Sequence, residues 1–179
     1  MELFGIFLTA TLINNFVLSY FLGLCPFLGV SSRLDTAFRL GLANIFVMLI
    51  TAFCAWFLNT YILENAPYLR IISFIIVVAS LVQIVEMVLD RYFPRLFHTL
   101  GIYLPLITVN CAILGTSLFM LNKPYNLLQA FGFGLGAGFG WFLAISMIGG
   151  IREKINEANV PRGLEGPGIT LIVIGIMAL

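Results

Sequence analysis

Charged residues divide this chain into runs that match the thickness of a lipid bilayer. No Asp, Glu, Lys or Arg occurs in Leu3–Ser32, Leu40–Leu63, Leu96–Asn122 or Pro124–Ile151. Each of these runs exceeds the ~20 residues a helix needs to cross the hydrocarbon core. Ile71–Val85 is a further apolar run, extended past Glu86 by Met87, Val88 and Leu89. The runs are continuous rather than alternating, which argues against strands. Charged residues make up 9% of the chain, against about 25% in a soluble domain, too few to cover a water-facing surface. With 61% hydrophobic residues the chain is not disordered, and a net charge of +1 offers no basic field to nucleic acid. An all-α integral membrane protein follows, with helices expected near 3–24, 38–62, 69–89, 99–121, 126–150 and 167–179. Leu179 falls in mid-helix without a cap or polar tail, so the last helix is expected to be truncated.

Basic residues set the orientation. Arg33, Arg39, Arg91, Arg95, Arg152, Lys154 and Arg162 fall in or beside the first, third and fifth connections, and only Arg70 and Lys123 fall on the other side. The positive-inside rule then places those three connections in the cytoplasm and both termini outside it. The N-terminus, Met-Glu-Leu-Phe-Gly, lacks the basic region of a cleavable signal peptide, so the first helix is expected to stay.

Compared with itself, the chain shows a repeat. Cys25-Pro-Phe-Leu28-Gly29-Val-Ser31 matches Cys111-Ala-Ile-Leu114-Gly115-Thr-Ser117 at an offset of 86 residues, close to half the length. The 179 residues therefore read as one transmembrane domain of two three-helix repeats, about 1–90 and 91–179. With three spans each, the copies cross in opposite senses, and such inverted repeats place functional sites at the midplane on interrupted helices. Both copies are expected to be interrupted. Pro26 disfavours the helical conformation at Cys25, and Gly101 and Pro105 precede Cys111. Asn14 and Asn15 in the first copy, and Thr108 and Asn110 in the second, put polar groups at membrane depth. Non-helical backbone survives there only where it is buried in protein or lines a cavity, so the two breaks should face each other near the molecular centre.

A single membrane cysteine is ordinarily a small side chain filling a gap, and Cys54, which has no counterpart in the repeat, is read so. Cys25 and Cys111 share a motif and an offset, and together suit a soft-metal site with thiolate ligands. An iron–sulfur cluster usually takes four cysteines and this chain offers two in symmetric positions, so a second chain, most simply a homologue with the same repeat, would supply the rest. Free amides at the helix breaks would help stabilise the cluster's negative charge.

Leu12-Ile-Asn-Asn-Phe-Val-Leu18, Phe21-Leu-Gly-Leu-Cys25-Pro-Phe-Leu-Gly-Val-Ser31 and Gly101-Ile-Tyr-Leu-Pro-Leu-Ile-Thr-Val-Asn-Cys111-Ala-Ile-Leu-Gly115 closely resemble the RnfA/NqrE family, membrane subunits of ion-pumping redox complexes. The resemblance covers almost the whole chain, including Gly150-Ile-Arg-Glu-Lys154 and Ala158-Asn-Val-Pro161. It implies a six-helix subunit of the bacterial inner membrane, paired with a homologue of opposite topology (RnfE or NqrD). Cys25 and Cys111 would supply two ligands to an intramembrane [2Fe–2S] cluster and the homologue the other two, with flavin and further iron–sulfur centres on other subunits. The chain would carry electrons and catalyse nothing alone. Gly23-Leu-Cys25-Pro-Phe and Tyr68-Leu-Arg70 are similar to the Rnf subunit, whose complex couples ferredoxin oxidation and NAD+ reduction to Na+ or H+ movement. Asp90-Arg-Tyr-Phe-Pro94 and Ala158-Asn-Val-Pro161 are closer to the subunit of the Na+-pumping NADH:quinone reductase. The balance is taken as Rnf, with the NADH:quinone reductase as the alternative. A rival from another class is a secondary transporter, which inverted repeats and midplane Asn and Thr also suit.

Gly132, Gly134, Gly136, Gly138 and Gly140 recur at every second position. Without a soluble strand before them or an acidic partner after them they do not form a nucleotide loop, and glycines four apart predict close helix packing. Glu86, near Asp90, Arg91 and Arg95, is expected in an interfacial ion pair. His98 is expected to be structural, and Arg152–Glu165 to form a solvated loop that docks a soluble subunit. Trp56 and Trp141 are expected at the lipid or its interface.

Overall fold

The computed structural model describes residues 2–30, 34–61, 67–92, 110–121, 123, 125–156 and 166–179. Among them there is no strand. Three helices are long and apolar enough to cross a membrane: α4 (Leu34–Tyr61), α5 (Arg70–Tyr92) and α7 (Leu127–Asn156). Around them are short apolar helices: α1 (Glu2–Leu8), α2 (Phe16–Tyr20), α3 (Leu24–Val30), α6 (Cys111–Leu121) and α8 (Pro167–Met177). α5 is apolar on both sides, the mark of a helix with lipid as its solvent. Phe74, Val78 and Val82 are buried at four-residue spacing, while Ile72, Ile76 and Ile84 are exposed.

The first apolar run is broken twice. A π-helical turn, Thr9–Ile13, continues α1. Asn15 then leaves the helical conformation, and its Oδ1 accepts the Val17 N–H (3.0 Å) to cap α2. α2 ends on Phe21 in the left-handed region (φ 55°), where the Phe21 and Leu22 N–H groups return to the Val17 and Phe16 carbonyls. Gly23 (φ 84°) completes the second break. The interruption expected at Cys25–Pro26 is thus displaced upstream. Cys25 and Pro26 both lie in the first turn of α3, where the missing proline N–H costs nothing. The expected break at Gly101 and Pro105 lies outside the described residues, as do Thr108 and His98.

α7 runs through the middle and uses its alternate glycines on two sides. A Cβ on Gly134 would lie 2.6 Å from Ala52 Cβ, and one on Gly138 would lie 3.0 Å from Ile45 Cα, both on α4. Gly132, Gly136 and Gly140 face the first run instead, against Leu3, the Phe7 carbonyl and the Thr11 carbonyl. Residues two apart on a helix point to opposite sides and residues four apart to the same side, so one ladder of five glycines makes two contact stripes. The close approach is read out in hydrogen bonds: Thr11 Oγ1 donates to Gly136 O (3.1 Å) and Asn15 Nδ2 to Gly140 O (2.9 Å).

Gly136→Val tests this packing. Its Cβ would stand 2.8 Å from Phe7 O, a backbone atom that cannot turn aside. Overpacking ordinarily costs about 1–3 kcal/mol, so a lowered midpoint in thermal unfolding of the detergent-solubilised complex is expected. Gly150→Ala on the same helix, with nothing within 4 Å of the added carbon, is expected to leave it unchanged.

α7 reaches Asn156, so Arg152, Glu153 and Lys154 lie in its last turns rather than in a loop. Trp141 is buried to 1% exposure in the core, contrary to the lipid-facing position expected of it. Trp56 is half-buried and donates from Nε1 to Tyr125 O (3.0 Å).

Candidate functional site

Cys25 and Cys111 each sit in the first turn of a short helix, α3 and α6, and the backbone N–H of Gly23 donates to Cys111 Sγ at 2.9 Å. That bond links the break before α3 to the start of α6, 88 residues further along the chain. Gly23 and Cys25 are two residues apart, so their Cα atoms are within about 7 Å, and the bond brings the segment that carries Cys25 up to Cys111. Cys25 is exposed on this chain and Cys111 half-buried.

Each element of this junction has a local cause. Asn110 caps α6, its Oδ1 accepting the Ala112 N–H (3.1 Å), which sets Cys111 as the first helical residue. Asn110 Nδ2 donates to Oδ1 of Asn44 (3.2 Å), a fully buried residue of α4. Gly23 is glycine for two reasons: its positive φ, and the lack of room beside it. A Cβ there would lie 2.6 Å from Trp141 Nε1, and 2.9 Å from both Ala112 Cβ and Asn110 Oδ1. Gly115, one turn into α6, is closed off in the same way by Leu22 and Phe16.

Among the described residues no three His, Cys, Asp or Glu side chains gather into a metal site. The donor set at this junction is two thiols, one of them open to the outside of the chain. Two thiols, one of them accepting a backbone N–H, suit half of a four-thiolate centre. Cys54 lies in the middle of α4, half-buried beside Ala55 of a small apolar cluster that includes Phe74. A separate cavity of about 400 Å³ is lined by Thr9, Asn14, Phe16, Phe119, Lys123 and Tyr125 among others and includes neither Cys25 nor Cys111.

Asn15 and Asn110, which the sequence marks as polar groups at membrane depth, both prove to be caps. Asn44 and Trp141 join the site without having been expected there. An asparagine inside the apolar run Leu40–Leu63 is the available signal for the first. Nothing in the sequence distinguishes a buried tryptophan from an interfacial one. Glu86 lies half-exposed on α5, with Asp90 and Arg91 exposed one turn on, and Arg95 is outside the described residues.

The model of the family described as Rnf-Nqr subunit, membrane protein, matches residues 3–179. The chain belongs to this family. It is 46% identical to a protein of Maridesulfovibrio salexigens named as a subunit of the Na(+)-translocating NADH-quinone reductase, over 99% of this chain and 94% of that one. Proteins of the same name from Haemophilus ducreyi and Pasteurella multocida are 47% and 48% identical, over 99% and 98% of this chain and 94% and 92% of theirs. This Rnf-Nqr family member is thus a multi-pass membrane protein.

Proposed function

We propose that this chain is the electron-carrying membrane subunit of a redox-driven cation translocase, and that Cys25 and Cys111 provide half the ligands of a [2Fe–2S] cluster shared with a homologous subunit of opposite topology. The single observation that supports this is the bond from Gly23 N–H to Cys111 Sγ, which brings the segment leading into Cys25 up to Cys111. The exposed Cys25 leaves the site open on the side where a partner would complete it. When bound, the cluster supplies a one-electron carrier inside the low-dielectric layer. This chain's own residues hold the sulfurs, and the Gly23 N–H donates to that of Cys111.

Of the two branches, the Na+-translocating NADH:quinone reductase is supported by the names of the relatives at 46–48% identity. Relatives so named make NADH the electron source, a quinone the acceptor and Na+ the cargo. The ferredoxin:NAD+ reaction of the Rnf branch is the second reading, favoured by Gly23-Leu-Cys25-Pro-Phe. In either branch other subunits carry flavin and further iron–sulfur centres, the pair lies in the bacterial inner membrane, and by the positive-inside rule both termini lie outside the cytoplasm.

The test is to co-purify this chain with its homologue and measure iron, acid-labile sulfide and the electron paramagnetic resonance of the reduced pair. Equal iron and sulfide with a two-iron signal is the expected result. A colourless, iron-free pair would reject the cluster and favour a transporter in which Cys25 and Cys111 only pack.

A further inference from the structure

We infer that Asn44 of α4 is a positioning residue for Cys111, acting through Asn110 to fix the hydrogen bond that Gly23 makes to the sulfur. The inference rests on the cluster reading above.

The amide orientations follow one from another. Asn110 Oδ1 is committed to the Ala112 N–H, so Asn110 Nδ2 must face away from the α6 cap, and it donates to Asn44. Asn44 therefore presents Oδ1 to Asn110, which directs its own Nδ2 elsewhere. That Nδ2 is buried with no hydrogen-bond partner among the described residues. An unpaired buried donor is costly, and an apolar residue here would only pass that cost to Asn110 Nδ2, which would lose its acceptor. The apolar setting of α4 does not account for an asparagine at this position.

Asn110 does. It immediately precedes Cys111, and its Oδ1 also lies against Gly23, where a Cβ would come within 2.9 Å. Asn110 thus touches both sides of the N–H···S bond: the peptide that donates, and the helix start that carries the acceptor. α4 is a rigid 28-residue helix, and Asn44 on it is fully buried. Holding Asn110 from α4 ties the bond to the core instead of to the broken segment. Hydrogen bonds to the sulfurs help set the reduction potential of such clusters. A donated hydrogen favours the more negative, reduced state, so a loosened bond makes reduction harder.

The experiment is a redox titration of the two-iron signal in the assembled complex, with iron content measured alongside. Asn44→Leu removes the acceptor. Asn110→Ser keeps a capping oxygen for α6 and loses the link to Asn44. Each is expected to keep its iron and to be about tenfold less reduced at a fixed potential, a fall of about 59 mV for one electron. The double variant should go no further than either single, because both break the same link. Thr51→Val, which removes another buried and unpartnered polar group of α4, should leave the potential where it was. Iron retained with an unchanged potential, or shifts that add in the double variant, would overturn the inference. If Asn44→Leu does not assemble, Asn110→Ser decides by the same criterion. Failure of both to assemble while Thr51→Val assembles would show a role in folding only and also overturn it. A wild-type complex without a two-iron centre would reject the cluster reading itself and the inference with it.

Discussion

Cys25→Ala and Cys111→Ala, introduced singly in the assembled complex, are each expected to remove one two-iron signal and to stop electron transfer through the membrane, while Cys54→Ala retains both. The cysteines are held by different helices, α3 and α6, and no other described acid, histidine or thiol gathers with them to take over. A four-thiolate centre that loses one ligand has no substitute inside an apolar layer. The loss should therefore exceed the roughly 10–100-fold weakening that follows removal of an outer hydrogen bond at a metal site. Cys54 lies on α4 beside a separate small apolar cluster, and its loss removes one small side chain. Iron content and the resonance signal of each variant, read beside turnover, check the expectation. Full iron in either of the first two variants would exclude that cysteine as a ligand.

Gly23→Ala should be the most damaging change of a residue that is no ligand. Its φ of 84° is a conformation that costs a side-chain-bearing residue about 1–2 kcal/mol. The new carbon also meets three groups on two different helices and at the α6 cap, none farther than 2.9 Å. Overpacking adds about 1–3 kcal/mol, for a total of about 2–5 kcal/mol. Relief requires the Gly23 peptide to withdraw from Cys111 or Trp141, Ala112 and Asn110 to give way, and either disturbs the N–H···S bond, so iron should fall together with the unfolding midpoint. Gly166→Ala separates the two causes, since Gly166 has a similar φ of 94° and nothing within 4 Å of an added carbon. It should show the strain alone, with iron intact. Equal effects at the two positions would mean that packing around Gly23 contributes little.

What can be read from the sequence is whatever repeats or persists over many residues. The apolar runs predict α4, α5 and α7 closely, because a helix without charges over a bilayer's width has no other stable setting. The matching cysteine motifs point to the same part of the molecule, and the Gly23 N–H does reach the Cys111 sulfur. The glycine ladder reads as helix packing, and the two stripes follow from its spacing. Single residues are harder. Pro26 looks like the breaker, yet a proline in a first helical turn interrupts nothing, and the break sits at Phe21–Gly23, where the backbone turns left-handed. Trp141 is expected toward lipid because tryptophan favours interfaces on average, whereas here the ring fills the space above a glycine that has no side chain of its own. Asn44 stands out as one amide in an apolar run, but its role is legible only when Asn110 is seen beside it.

The two glycine stripes also have a mechanical consequence. Both sides of α7 are closely packed, and at Gly136 and Gly140 the neighbour is backbone that cannot turn aside. A slide of one residue past α1 or α4 would bring Phe133, Leu135 or Phe139 into a slot shaped for hydrogen. The next register that fits is four residues away, a step of about 6 Å. The first run, α4 and α7 are therefore keyed together like a ratchet at rest. A motion within this chain would meet least resistance outside this trio.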